Sequence, residues 1–109
     1  MKFVSLGTSG IHVSRICLGT MTFGSPLNEA KSGRLVSLAL DHGINFFDTA
    51  DVYEGYSRKW GSAGGVSEAI LGKALEGRRE QAVICTALVQ IESWHNFGHL
   101  ACSIPSGSD

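Results

Sequence analysis

The chain has 109 residues, a net charge of -1, 43% hydrophobic and 17% charged residues. That length suffices for one small domain with a modest core and excludes two. The near-neutral balance gives no electrostatic hold on nucleic acid or an anionic membrane, so neither is expected as a partner.

Three cysteines, Cys17, Cys85 and Cys102, are an odd number at wide spacing. They suit a reducing, cytoplasmic compartment better than a disulfide framework. The start, Met1-Lys2-Phe3-Val4-Ser5, lacks the apolar stretch of a signal peptide. No run approaches the ~20 apolar residues needed to span a bilayer.

In chain order, Phe3–Leu6 and Ile11–Ser14 flank the turn residues Gly7-Thr8-Ser9-Gly10 and predict a β-hairpin. Ile16–Gly19 is the next strand, opening into a glycine-punctuated loop over Thr20–Pro26. Asn28 is placed to cap a helix running to about His42, with Leu35, Val36, Leu38, Ala39 and Leu40 at helical spacing and Gly43 as its stop. Asn45–Thr49 is a further strand. After the glycine-rich loop Asp51–Gly65, Ser67 is expected to cap a second helix that buries Ile70, Leu71, Ala74 and Leu75 and closes at Gly77. Ala82–Thr86 completes the series. A hairpin followed by β-α-β-α-β with nearly continuous apolar strands predicts an α/β fold with a parallel sheet. Beyond Thr86 no sustained period is visible, and residues 87–109 are expected to be irregular.

The segment Gly43-Ile44-Asn45-Phe46-Phe47-Asp48-Thr49-Ala50-Asp51-Val52-Tyr53 carries the chemistry. An apolar strand ends in a carboxylate, and five residues later a phenol stands in the next loop. At one mouth of a parallel α/β structure the two can converge as part of a proton-transfer site. The blander readings are a strand-end aspartate that caps a turn and a loop aromatic packed on its neighbour. Lys59, in the same loop, reads as a solvated surface cation. His95 and His99 stand four apart, but Gly98 between them weakens a helix and no third ligand is evident, so no metal is expected.

Leu18-Gly19-Thr20-Met21-Thr22-Phe23-Gly24, the Gly43–Tyr53 segment, Ser67-Glu68-Ala69-Ile70-Leu71-Gly72-Lys73-Ala74-Leu75 and Arg79–Thr86 occur in the order and spacing of the aldo-keto reductases, which this chain resembles over about residues 2–86. The resemblance implies the N-terminal part of a (β/α)8 barrel with a hairpin at its bottom, in which 1–86 is partial barrel and 87–109 a divergent tail. It implies reduction of aldehydes or ketones to alcohols with NADPH, through a tetrad of aspartate, tyrosine, lysine and histidine. By motif, Asp48 matches the aspartate and Tyr53 the proton-donating tyrosine. Gly19, Thr20 and Met21, with Asp48, match the residues near the nicotinamide. A free tyrosine, with a pKa of about 10, is a reluctant acid near neutrality, and the family lysine corrects this by favouring the tyrosinate.

The lysine is expected directly after Thr86, where this chain has Ala87, and the family histidine is not recognisable. Half the tetrad is retained, so the chain is expected to be inactive alone, with NADPH binding and a small carbonyl substrate implied only through the family. A barrel needs about 250 residues, and three barrel strands leave open sheet edges suited to self-association. Two other readings stand beside this one: a non-catalytic product that binds a relative or partner, and a pseudogene product without function. The change after Thr86 is what a frameshift, an alternative exon or a gene-model error produces.

Overall fold

A computed structural model of the chain describes residues 1–55, 64–88 and 99–103. The hairpin forms from β1 (Phe3–Ser5) and β2 (His12–Ser14), antiparallel with Val4 opposite Val13. It is fastened to the barrel part by an amide. Asn45 accepts from the Ser14 N–H through Oδ1 at 2.7 Å, while its Nδ2 donates to the His12 carbonyl at 3.2 Å. Its own N–H donates to the Ser14 hydroxyl at 3.2 Å.

Three parallel strands follow, β3 (Cys17–Gly19), β4 (Phe46–Ala50) and β5 (Val83–Leu88), adjacent in that order. Helices α1 (Glu29–Asp41) and α2 (Val66–Ala74) connect them. Asn28 caps α1 as its sequence position suggests, with Oδ1 accepting from the Lys31 N–H at 2.9 Å. The helix ends in a Schellman motif, Ile44 N–H to Ala39 O and Gly43 N–H to Leu40 O. Gly43 sits there at φ 86°, where a side chain is strained, which explains its use as the stop.

One helix start differs from expectation. Gly65, not Ser67, is the cap of α2, and Ser67 lies wholly buried one residue inside the helix. Its N–H, one of the donors that a helix start leaves without an intrahelical partner, is taken by the Tyr53 carbonyl. Its hydroxyl is thereby free to serve another loop.

The strands alternate faces. Leu18, Phe47 and Ile84 turn toward the helices, where Phe47, Val36, Ala39, Leu40, Leu71, Leu75 and Ala82 form the core. Phe23, from the β3–α1 loop, is fully buried in this cluster and anchors the loop. Ion pairs between Lys73 and Glu29 (2.6 Å) and between Arg78 and Asp41 (3.0 Å) link the exposed sides of the helical layer. Across the sheet, exposure falls inward from the β3 edge: in one register row Cys17 is exposed, Phe46 half-buried and Val83 buried. Side chains on inner strands have flanking neighbours on both sides; those at the edge have one.

The region after Thr86 is more regular than its composition suggests. The strand β5 continues through Leu88, and β6 (His99–Ser103) pairs with it antiparallel, Thr86 opposite Ala101. An unpaired strand edge exposes a row of backbone donors and acceptors, and β6, which holds no glycine or proline, satisfies that row on β5. The edges of the described sheet are therefore β3 and β6, not β3 and β5. A (β/α)8 barrel continues with a parallel strand at this position, so β6 departs from barrel topology. Lys59, Trp94 and His95 lie outside the described residues.

Candidate active site

Asp48 is the central residue of β4, half-buried, on the face turned away from the helices. Its register partners are Gly19 on β3 and Cys85 on β5. Cys17, two residues before Gly19, shares that face. Partial burial of the thiol, and then the negative charge of Asp48, push the Cys17 pKa up from its ordinary value. Cys17 is a site neighbour that its sequence position alone does not announce. Its period-two offset from Gly19 was the available signal, but the register to β4 is visible only in the fold.

The β3–α1 loop is stitched to the Asp48 backbone. Both the N–H and the hydroxyl of Thr20 donate to the Asp48 carbonyl, each at 3.0 Å, and the side chain is fully buried. Thr20 thus spends its hydroxyl on fixing the strand end. Its neighbours face outward: Met21 is 50% exposed, and Gly19 is exposed with open space where a Cβ would stand. Among the described residues no atom lies within 4 Å of where a Gly19 Cβ would stand, which leaves the backbone there open to a flat ring such as a nicotinamide.

Tyr53 follows in the β4–α2 loop, half-buried. Its main chain is held at both polar groups, the N–H donating to Ala50 O at 3.2 Å and the carbonyl accepting from Ser67 N–H at 2.9 Å. Asp51, between the two site residues, donates its N–H to Ala87 O at 3.1 Å. The loop is therefore tied both to α2 and to β5.

Ala87 stands opposite Ala50, two residues beyond Cys85 along β5, on the Asp48 face. A lysine there would extend over the same mouth as Asp48. The methyl group supplies no charge, and β3, β4 and β5 carry no lysine or arginine. Among the described residues no group of three or more His, Cys, Asp or Glu is arranged to hold a metal ion, and no helix is long and apolar enough to cross a membrane. The arrangement offers a carboxylate and a phenol on a fixed backbone, beside an open backbone approach.

Comparison with known proteins follows the same residues. The aldo/keto reductase family model matches residues 15–104, past the end of the 2–86 stretch on which the resemblance rests. An uncharacterized oxidoreductase of Bacillus subtilis (strain 168), YrpG, is 44% identical over 101 residues, 90% of this chain and 29% of the relative. A short relative, an uncharacterized 11.2 kDa protein from Pseudescherichia vulneris, is 40% identical over 89 residues, 79% of this chain and 84% of that protein. Among solved structures, the holo form of an aldo-keto reductase from Bacillus halodurans superposes with a TM-score of 0.67 at 34% identity, over 89% of this chain and 30% of that one. A putative aldo-keto reductase from Pseudomonas aeruginosa gives 0.61 at 37%, over 77% and 30%. The chain spans less than a third of the Bacillus subtilis relative and of both solved structures, which makes its fold a part of their barrel. On the family match and the two-helix parallel sheet, the chain belongs to the aldo/keto reductase family.

Proposed function

We propose that this chain carries the aspartate–tyrosine half of an NADPH-dependent carbonyl reductase site, and that with Ala87 in the lysine position it does not turn over by itself. The observation that carries this reading is the register: Asp48, Cys85 and Ala87 share one face, so the position after Thr86 lies where a lysine would meet Asp48. NADPH, when bound, supplies the hydride that attacks the carbonyl carbon of a small aldehyde or ketone. The backbone of Gly19 and Met21 would hold the nicotinamide end, and Asp48 would border it. Tyr53 would deliver its phenolic proton to the carbonyl oxygen as negative charge develops there. Without a lysine at position 87, that transfer loses an activation worth about 10²–10⁴ in rate. A small carbonyl compound is the expected partner and a reducing cytoplasm the expected compartment.

The test is a titration of Tyr53 in a Tyr56→Phe background, which leaves a single tyrosine, followed through tyrosinate absorbance. Ala87→Lys is expected to move the onset of tyrosinate absorbance to lower pH, because an ammonium beside the phenol favours the phenolate. Adding Asp48→Asn should change that response, since the lysine loses its anchor. An unchanged Tyr53 titration would remove Ala87 from the lysine position. NADPH-dependent aldehyde reduction by the unmodified chain, freed of host reductases and lost on Tyr53→Phe, would overturn the inactivity.

A non-catalytic reading, in which the chain pairs with a relative or with itself, is favoured by β3 at the sheet edge, with Ile16 just before it 54% exposed. Sedimentation over a concentration series tests it, a monomer at every concentration excluding self-association.

A further inference from the structure

The β3–α1 and β4–α2 loops meet backbone to backbone. A Cβ at Gly55 would run into the Ser25 backbone, and one at Gly24 would stand 2.8 Å from the Glu54 carbonyl. Such closeness makes the two loops one unit, and buried Ser67 joins them. Its hydroxyl donates to Phe23 O at 2.8 Å while its N–H donates to Tyr53 O at 2.9 Å. Phe23 in turn donates its N–H to Thr20 O at 3.0 Å, and Thr20 is bound twice to Asp48 O. An unbroken path of hydrogen bonds thus runs from Asp48 through Thr20, Phe23 and Ser67 to Tyr53.

We propose that Ser67 is a positioning residue, which sets the Tyr53 backbone relative to Asp48 by holding both loops at once. A helix cap does not account for it, because Gly65 occupies the cap and the Ser67 hydroxyl leaves its own helix for another loop. Nor is the hydroxyl needed to fill space, since the buried methyl of an alanine would occupy most of the same volume. What alanine cannot supply is the donor to Phe23. Proton transfer is sensitive to placement, and a shift of about 1 Å in a reacting group can cost 10²-fold in rate. A Tyr53 held from its own carbonyl is fixed before any substrate arrives. The proposal rests on the reading of Tyr53 as the proton donor.

The test uses the full chain with Tyr56→Phe, so that 3-fluorotyrosine labels Tyr53 alone, read by ¹⁹F NMR together with amide exchange. Ser67→Ala is expected to shift the Tyr53 resonance and to raise exchange at the Tyr53 amide at least tenfold. Ser67→Thr keeps the donor and is expected to restore both. Gly55→Ala breaks the same loop contact from the opposite side and should also move Tyr53. Val13→Ala, which weakens the hairpin outside the cluster that holds Phe23, should leave the resonance in place. A folded Ser67→Ala with an unmoved Tyr53 signal overturns the proposal, as does a Val13→Ala that moves it equally. Where Ser67→Ala does not fold, an unmoved signal in folded Gly55→Ala overturns it, and failure of both to fold assigns Ser67 to the fold alone. If Tyr53 responds here but its titration ignores Ala87→Lys, the positioning stands and the proton-donor reading falls. The converse pair of results removes only Ser67.

Discussion

The two faces of the parallel sheet are built from alternate residues of the same strands, yet they obey different rules. Toward the helices, Leu18, Phe47 and Ile84 meet α1, α2 and Phe23 in a closed apolar cluster. On the other face stand Cys17, Asp48, Cys85 and Ala87, with a thiol and a carboxylate close enough for one to perturb the other. The first face supports the fold through buried area, whereas the second holds polar groups whose value depends on partners. Phe47 and Asp48 are neighbours in sequence and belong to these opposite regimes.

The widest separation between the faces is expected from that pair. Phe47→Ala removes a fully buried ring and should cost about 3–5 kcal/mol, enough to unfold a small domain, measured by chemical denaturation. Asp48→Asn, one residue away, should stay within about 1 kcal/mol, as substitutions outside core and strained positions commonly do. Comparable losses at the two positions would erase the distinction between the faces.

That contrast also explains what was legible in the sequence. Helical spacing in Leu35–Leu40 and the apolar strands Phe46–Phe47 and Val83–Ile84 report burial directly, so the hairpin, both helices and three strands were readable with shifts of a residue or two. Asn28 and Gly43 announced the limits of α1 through local chemistry that needs no partner. Asp48 and Tyr53 were readable as a motif, but their support was not. Thr20 is readable as a cofactor-loop residue, but its bond to the Asp48 carbonyl is visible only in the fold. Ser67 looks like a helix cap and bonds a loop 44 residues earlier in the chain. Bonds between residues distant in sequence leave no period to read. The β6 strand was missed for the same reason, since five residues without glycine or proline become a strand only because β5 presents an edge.

Smaller effects sharpen the comparison on the helix side. Asn28→Ala removes the α1 cap and should cost about 1 kcal/mol by denaturation, with Asn28→Asp close to neutral. Asp41→Asn breaks the ion pair with Arg78, whose partly exposed geometry puts the loss at a few tenths of a kcal/mol, shrinking further in high salt. If the ion pair cost more than the cap, charge rather than backbone satisfaction would govern the outer surface of the helices.

The smallest expected effect is on the opposite face and has a defined sign. Burial and the Asp48 charge both favour the neutral thiol of Cys17, so its pKa is raised in the folded chain. Alkylation of Cys17 by iodoacetamide, followed by peptide mass spectrometry, should therefore have its pH midpoint above that of free cysteine, about 8.5. Asp48→Asn should bring the midpoint down part of the way, because burial, the larger cause, remains. In linkage terms the folded chain binds the thiol proton more tightly than the unfolded chain does. The resulting stabilisation is complete below the unfolded thiol's pKa and is lost as pH rises through the folded value. Cys17→Ser should thus flatten the alkaline loss of stability while leaving the chain's behaviour near neutrality unchanged. A midpoint at or below that of free cysteine would mean that Cys17 does not feel Asp48, and the shared face would lose its electrostatic evidence.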